Sequence, residues 1–180
     1  MNRSLFEAIN RFDGGAALDG LARLVAISAS GFVAGLVALA MLLLWRRDRR
    51  TVHLVIAVLL AVGLTDLLGS QVLKPLFAEL RPCHQWPETV RLHGTLCGGS
   101  FGFPSNHAAN NAAMAAAIFG QVPLFLFSVM FAIAAFVGWS RVYVGAHFPG
   151  DVLAGYLFGA LVGWGVRRLV LHFAARLQRS

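Results

Sequence analysis

Charged side chains are scarce in this sequence and missing from long stretches of it. Only 13% of the 180 residues are charged and 58% are hydrophobic, whereas about a quarter of the residues in a soluble domain are charged. This composition argues against a soluble globular domain. No charge occurs in 24–45 or 108–140, and 54–73 contains one acid, Asp66. Because about 20 apolar residues suffice to cross a bilayer as a helix, we predict an integral membrane protein.

The apolar runs predict five membrane-spanning helices. The stretch 108–140 is divided into two spans by GQVP at 120–123, and a last span follows Asp151. The first 20 residues are too polar to cross and predict a short interfacial helix. Its apolar side would consist of Leu5, Phe6, Ile9 and Phe12. The predicted fold class is all-α, a polytopic membrane helical bundle in one domain, residues 1–180; a sixth span that absorbs the N-terminal helix is the alternative.

Acidic residues are the scarcer charged type, with 8 Asp and Glu against 15 Lys and Arg. The loop 46–50 (RRDRR) contributes +3, and the tail contributes +4 through Arg167, Arg168, Arg176 and Arg179, which together equal the net charge of +7. Basic loops remain in the cytoplasm, and five spans place both segments on one side. We therefore expect a cytoplasmic C-terminus and no nucleic-acid partner. Residues 74–103 and 141–149 would lie on the outer face.

Cysteine is nearly absent, and both copies, Cys83 and Cys97, fall in the predicted outer segment. In an oxidising compartment they can form a disulfide; two unpaired thiols are the alternative. The cysteines and the six histidines show no spacing typical of a metal site. We therefore predict no metal.

Three groups of polar residues border the spans on the predicted outer face. They are Lys74 with Arg81, then Pro104, Ser105, Asn106 and His107, and finally Arg141 with His147 and Asp151. Singly, each has an ordinary explanation: a lysine at a span's end reaches the headgroups, and a serine before a helix caps it. Together, the cations Lys74, Arg81 and Arg141, without a matching cluster of acids, predict an anion site suited to phosphate.

The same three groups also contain residues that could react with a bound phosphate. His147 and Asp151 are four residues apart, so one helical turn lets the carboxylate hold one ring nitrogen and leaves the other free to attack. His107 would then protonate the leaving oxygen. Ser105 and the N–H groups of Asn106 and His107 would sit at a helix N-terminus, which favours anions. These parts suit phosphoryl transfer through a covalent intermediate.

The motifs resemble those of the type 2 phosphatidic acid phosphatases, membrane relatives of the vanadium haloperoxidases. The family signature reads K-x6-RP, PSGH and SR-x5-H-x3-D. Lys74 to Arg81-Pro82 matches the first part, and Ser140-Arg141, His147 and Asp151 match the third. The second reads P-S-N-H, with Asn106 where the family most often has glycine. The match spans 74–151, in a chain about as long as the family's compact bacterial members.

The resemblance implies a role for each matching residue. His147 would be the nucleophile that forms a phosphohistidine, Asp151 would orient it, and His107 would be the general acid. The phosphate would be bound by Lys74, Arg81, Ser105, Asn106 and Arg141. Family members of this kind need no metal or other cofactor, so none is expected. Asp66 either belongs to a polar network behind this site or only fixes helix packing.

The resemblance and the topology together predict a substrate class, a lipid phosphate or diphosphate in a bacterial-type inner membrane. An outward-facing site favours undecaprenyl diphosphate, because this lipid is released on that side during cell-wall synthesis. Phosphatidylglycerophosphate, phosphatidic acid and lipid A phosphates remain alternatives, as does transfer of the phosphate to another lipid. A transporter is disfavoured because there is no internal repeat, and a non-catalytic scaffold because all motif positions except 106 match. The oligomeric state is not predicted.

Overall fold

The structure, a computed structural model, describes residues 3–27 and 49–177. Within those ranges the chain is helical, and its only extended pairing is an isolated bridge between Leu80 and Phe101. The helices are α1 (Arg3–Asn10), α2 (Gly15–Ile27), α3 (Arg49–Phe77), α4 (Pro82–Gln85), α5 (Asn106–Ile118), α6 (Leu124–Tyr143) and α7 (Pro149–Leu177). Helix α3 contains a π-helical segment, Gly69–Leu73, close to its C-terminus.

Three of the described helices are long and apolar enough to cross a membrane, namely Arg49–Phe77, Leu124–Tyr143 and Pro149–Arg176. They correspond to the predicted second, fourth and fifth spans. The predicted first span, 24–45, lies mostly outside the described residues. The predicted third span forms α5, whose 13 residues rise about 20 Å, less than the ~30 Å of a bilayer's hydrocarbon core. The count of five spans, and the alternative of six, therefore stay predictions.

Helix α5 is an alanine-rich core helix between α3 and α7. Its fully buried alanines are Ala108, Ala109, Ala113 and Ala117. The facing side of α7 carries glycines four residues apart, Gly155, Gly159 and Gly163, and a methyl group on Gly159 would overlap the backbone of Ala109. Small residues at this spacing let two helix backbones touch. The contact also holds the start of α5, since a Cβ on Gly155 would lie 2.6 Å from the carbonyl oxygen of Ser105.

Replacing Gly159 by alanine should lower the stability of the bundle. The new methyl group overlaps the backbone of Ala109, so α5 and α7 must separate, at about 1–3 kcal/mol. Thermal unfolding of detergent-purified protein measures the effect. Gly165→Ala is the matched control, because a Cβ there meets no atom within 4 Å. Equal unfolding temperatures for the two variants would contradict close backbone packing of α5 on α7.

Helix α1 forms where the sequence predicts it, but its apolar side is not a uniform lipid-facing surface. Phe6 is buried, and its ring centroid lies 6.1 Å from Trp86 and 5.3 Å from Phe148. Leu5 and Phe12 are 46% and 54% exposed. Phe6 therefore packs inside the protein, on the residue that follows His147, and the interfacial position of the helix stays a prediction.

A buried asparagine ties α1 to the rest of the protein. Asn10 donates to the carbonyl oxygens of Arg91 and Tyr143, both at 2.7 Å, and accepts from the Arg91 N–H at 3.0 Å. His93 bonds the Asn10 carbonyl at 2.9 Å and the Asp19 carboxylate at 2.9 Å. The N-terminal helices are thus joined by hydrogen bonds to the segment after α4 and to the end of α6.

The opposite end of the bundle carries the start of α3 and the turn between α5 and α6. There the Arg50 guanidinium donates to the Gln121 side-chain oxygen at 2.9 and 3.2 Å. The C-terminus of α3 therefore lies at the same end as the start of α5, the end of α6 and the start of α7. Because the helices run in alternating directions through the bundle, the three polar groups of the sequence come together at this end.

Candidate active site

Direct hydrogen bonds join the polar groups at one end of the bundle. The Lys74 ammonium, in the last turn of α3, donates to the Pro104 carbonyl oxygen at 3.0 Å. The Ser105 N–H donates to the Asp151 carbonyl oxygen at 3.0 Å, which joins the start of α5 to the first turn of α7. Residues separated widely along the chain therefore line one site.

Arg81 reaches the site from the loop that follows α3. Its Nε donates to the Gly99 carbonyl oxygen at 2.6 Å, and its Nη1 donates to the Ala146 carbonyl oxygen at 3.1 Å. The same Nη1 lies 2.8 Å from Nε2 of His147. An arginine side chain is only a donor, so Nε2 of His147 accepts this bond and carries a lone pair.

The other ring nitrogen of His147 faces Asp151. Nδ1 lies 3.3 Å from Asp151 Oδ2, which also accepts the Phe148 N–H at 2.9 Å. His147 and Asp151 are each only 1% exposed. Because Nε2 is an acceptor, Nδ1 carries the ring proton and donates a hydrogen bond to the carboxylate. This tautomer directs the unprotonated nitrogen toward Arg81.

Burial lowers the pKa of His147 well below its usual range, and the nearby positive charges of Arg81, Arg141 and Lys74 lower it further. The charged imidazolium loses hydration and is repelled by the guanidinium and ammonium groups. A group whose pKa is lowered stays unprotonated down to a more acidic pH. His147 is therefore a neutral imidazole at neutral pH, with its Nε2 lone pair available.

The lowered pKa of His147 predicts that its ring does not titrate over the usual range of a histidine. In detergent-solubilised protein with isotope-labelled histidine, its ring signals should stay constant from about pH 8 to about pH 5. Comparison with His147→Asn identifies the signals. A midpoint near the ordinary value of about 6.5 would show that the ring is hydrated and that its burial is not maintained.

The start of α5 supplies a second set of groups. Ser105 is fully buried, and its hydroxyl makes no cap bond to α5 and no other hydrogen bond to a described residue. Capping is thus not the role of this side chain here. His107 follows in the first turn and is half-buried, and Asn111 holds its carbonyl oxygen at 2.8 Å. Arg141, 8% exposed in the last turn of α6, brings the third cation.

The side chain of Asn106 bonds to residues of α3. Its Nδ2 donates to Ser70 Oγ at 2.7 Å and to Asp66 Oδ1 at 3.1 Å. Its Oδ1 occupies the space that a side chain at Gly69 would need, since a Cβ there would lie 2.6 Å away. The residue that departs from the family motif is therefore fixed against the π-helical segment of α3, and its N–H remains at the start of α5.

Asp66 joins the start of α5 from the side of α3. Its Oδ1 also accepts from Asn110 Nδ2 at 3.0 Å. Asp66, Ser70, Gln71 and Asn110 line a cavity of about 510 Å³ beside the start of α5. Of the two predicted roles, the bonds to Asn106 and Asn110 agree with both: Asp66 holds α5 on α3, and through Asn106 it lies directly behind the site.

The two cysteines form a disulfide in the segment that carries Arg81. Cys83 and Cys97 are bonded, with their Cα atoms 5.9 Å apart. With His84 they form a cluster of potential metal ligands. The sulfur atoms are bonded to each other, however, and are not the thiolates that a metal binds. The His84 ring bonds the Gly98 carbonyl oxygen at 2.9 Å.

Two glycines outside the sequence motifs leave room for side chains of the site. A Cβ on Gly102 would lie 3.1 Å from Asp151 Oδ2 and 3.3 Å from Arg81 Cγ, so a side chain there would press on both residues. Gly69 makes the corresponding room for Asn106. The sequence signal for Gly102 is the glycine-rich stretch 98–102, which by itself indicates only a loop.

Known proteins resemble this chain in sequence. The PAP2 superfamily model matches residues 51–173. A lipid A 4'-phosphatase of Bacteroides thetaiotaomicron is 35% identical over 69% of this chain, which spans 57% of that protein's length. An undecaprenyl-diphosphatase of Sulfolobus acidocaldarius is 32% identical over 69% of this chain and 58% of its own length. The chain thus spans less than two thirds of these two relatives.

Solved structures resemble the fold. The crystal structure of Aquifex aeolicus LpxE superposes with a TM-score of 0.71 at 29% identity, covering 92% of this chain and 93% of that one. The crystal structure of the PAP2-type phosphatidylglycerolphosphate phosphatase of Bacillus subtilis, a transmembrane protein, superposes with a TM-score of 0.68 at 28% identity. The superposition covers 98% of this chain and 88% of that one. Together with the apolar helices, these similarities indicate an integral membrane protein.

Proposed function

Because the chain belongs to the PAP2 superfamily, we propose that it removes a phosphate group from a membrane lipid through a phosphohistidine intermediate. The observation that carries the proposal is the hydrogen-bonded line from Arg81 Nη1 through the His147 ring to Asp151. It holds a neutral imidazole whose Nε2 lone pair points toward the cations. Such an arrangement suits attack on phosphorus.

Binding of the phosphate precedes the chemistry. The oxygens would be bound by Lys74, Arg81 and Arg141, by the Ser105 hydroxyl and by the Asn106 N–H at the start of α5. The buried hydroxyl of Ser105, with no bond to a described residue, is one donor that the fold leaves for a ligand. The cations also stabilise the negative charge that accumulates on the phosphoryl oxygens in the transition state.

Phosphoryl transfer to His147 is the first chemical step. The phosphate draws the Arg81 guanidinium onto its own oxygens, and Nε2, released from that hydrogen bond, attacks the phosphorus. Burial and the nearby cations lower the pKa of His107 to about 3, and the negative charge of the bound phosphate raises it again, so that His107 holds a proton. As the bond from phosphorus to the lipid oxygen breaks, His107 donates that proton to the oxygen. Asp151 keeps Nδ1–H in place and stabilises the positive charge that the ring acquires.

Hydrolysis of the phosphohistidine completes the cycle. A water molecule takes the position of the departed lipid oxygen, and His107, now unprotonated, accepts a proton from it. The water oxygen bonds to phosphorus while the bond from phosphorus to Nε2 breaks. Inorganic phosphate leaves and His147 regains its lone pair. No residue in this sequence of steps requires a metal ion.

The membrane side and the substrate are further parts of the proposal. The basic loop 46–50 and the basic tail support a site at the outer face of a bacterial-type inner membrane, with the C-terminus in the cytoplasm. This side favours undecaprenyl diphosphate, and one relative carries the name undecaprenyl-diphosphatase. A second candidate is a lipid A or glycerol phosphate, favoured by the polar cavity beside Asn106.

The test is phosphate release by purified protein, with EDTA present, from several lipids side by side. The panel holds undecaprenyl diphosphate, phosphatidylglycerophosphate, phosphatidic acid and lipid A. Release from at least one lipid despite EDTA supports the proposal, and the highest kcat/KM identifies the substrate class. Folded protein that releases phosphate from none of them would refute hydrolysis; transfer of the phosphate to a second lipid would then be assayed.

A further inference from the structure

The polar cavity beside Asn106 has no part in the steps above. Its volume is about 510 Å³, and α3 supplies most of its lining, including Asp66, Ser70 and Gln71, while α5 supplies Asn110. The outer surface of α3 next to it is apolar: Leu64 and Leu67 are 41% and 57% exposed. A carboxylate on a membrane-spanning helix is energetically unfavourable and therefore points to a function.

The hydrogen bonds of Asp66 leave one oxygen for a ligand. Asn106 and Asn110 both donate to Oδ1, at 3.1 and 3.0 Å. Within the described part of the chain, no group donates to Oδ2. A carboxylate accepts about four hydrogen bonds, and Asp66 is exposed to the cavity. Oδ2 can therefore accept a hydrogen bond from a molecule bound there.

Asn106 links this carboxylate to the phosphate site. Its side chain bonds Asp66 and Ser70, while its backbone begins α5 between Ser105 and His107. A phosphate on the Ser105 hydroxyl and a group on Asp66 Oδ2 would therefore lie on either side of Asn106. In a lipid phosphate, the part of the molecule that adjoins the phosphate is the headgroup that carries it.

We propose that the cavity binds a hydroxyl group of the lipid headgroup next to the scissile phosphate, with Asp66 Oδ2 as its acceptor. This inference rests on the proposed lipid phosphatase function and selects within it. Glycerol and sugar headgroups both offer such hydroxyl groups. Phosphatidic acid and polyprenyl diphosphates do not, and they leave the carboxylate oxygen without a donor.

The consequence is substrate selectivity. A hydrogen bond to a charged group that one substrate makes and the other lacks corresponds to about 10- to 100-fold in kcat/KM. Phosphatidylglycerophosphate and phosphatidic acid with identical acyl chains form the cleanest pair, because they differ by a glycerol phosphate unit that carries a hydroxyl. Wild-type protein should prefer the former by that factor. This comparison needs no variant.

The decisive variant is Asp66→Asn. An asparagine oxygen at Oδ1 keeps the bonds from Asn106 and Asn110, so the helices remain joined, while an amide replaces the carboxylate at Oδ2 and turns the acceptor into a donor. The substrate hydroxyl can still accept a bond from this amide, but the stronger bond to a carboxylate is lost. We expect the ratio of kcat/KM, phosphatidylglycerophosphate over phosphatidic acid, to fall about tenfold. Asp13→Asn makes the same chemical change outside the cavity, at a carboxylate whose Oδ1 accepts the Gly15 N–H, so it should leave the ratio near the wild-type value.

Several outcomes would overturn the inference. A wild-type ratio near one, or efficient hydrolysis of undecaprenyl diphosphate alone, would contradict it while leaving lipid phosphatase activity intact. If Asp66→Asn lowers kcat/KM by the same factor for both lipids, with an unchanged unfolding temperature, then Asp66 only positions Asn106. No hydrolysis of any lipid would remove both proposals. Assaying lipid A alongside these lipids distinguishes the two kinds of headgroup. Preference for lipid A indicates that the cavity binds a sugar hydroxyl, and preference for phosphatidylglycerophosphate indicates a glycerol hydroxyl.

Discussion

Replacing His147 by alanine should abolish measurable phosphate release from every lipid in the panel. Loss of a nucleophile lowers kcat by about ten-thousand-fold or more, because the remaining cations can bind the phosphate but nothing forms the covalent intermediate. Binding should be less affected, since Lys74, Arg81 and Arg141 stay in place. Steady-state kinetics gives kcat, and an inhibition assay with inorganic phosphate compares phosphate binding in the variant and the wild type.

A matched control separates this effect from general damage by histidine loss. His172 lies in the part of α7 farthest from Asp151 and is exposed, so His172→Ala should have nearly wild-type activity. His147→Ala also removes a fully buried ring, so its unfolding temperature should fall, and activity is measured at a temperature where the variant is shown to be folded. Substantial turnover by folded His147→Ala would exclude His147 as the nucleophile.

Replacing His107 by alanine should slow hydrolysis of a lipid phosphate by about 100- to 10,000-fold. The lipid alcohol is a poor leaving group and needs a proton as its bond to phosphorus breaks. p-Nitrophenyl phosphate has a leaving group that departs as an anion without this help. For that substrate, phosphorylation of His147 should remain fast while hydrolysis of the phosphohistidine becomes slow, because His107 no longer activates water.

The kinetic signature is a burst. Rapid mixing of His107→Ala with p-nitrophenyl phosphate should release about one nitrophenolate per protein molecule, followed by a much slower steady state. His84→Ala serves as the control, since His84 is an exposed histidine of the disulfide segment. Equal losses with both substrates and no burst would show that His107 does not act as an acid and base.

The sequence predicts which residues of the site come together, because the polar groups lie at the ends of the predicted helices. The order of the helices then decides at which end of the bundle each group lies. Lys74, Arg81, Ser105, His147 and Asp151 lie at one end of the bundle through direct hydrogen bonds. The i, i+4 spacing of His147 and Asp151 correctly predicts that ring and carboxylate meet, although His147 lies in the bend before α7 and not within a helical turn. The apolar runs predict five spans, and three of the described helices are long and apolar enough to be spans.

Other features depend on contacts that a one-dimensional pattern does not contain. The apolar run of α5 reads as a span, but its alanines and the glycines of α7 form a backbone contact in the protein interior. Phe6 reads as lipid-facing, yet its partners Trp86 and Phe148 are remote in sequence. In the sequence, Asn106 is a departure from the motif in a loop. The structure shows that its side chain bonds Asp66 and Ser70 in the space beside Gly69.

The central claim is that phosphate passes through a covalent bond to Nε2 of His147. Rapid quenching of the reaction of His107→Ala with p-nitrophenyl phosphate, followed by mass spectrometry of peptides kept at alkaline pH, tests it most directly. We expect one added phosphoryl group on the peptide that contains His147, and none on that peptide when His147→Ala is combined with His107→Ala. A phosphoryl group on another residue, or turnover without any phosphorylated peptide, would contradict the account.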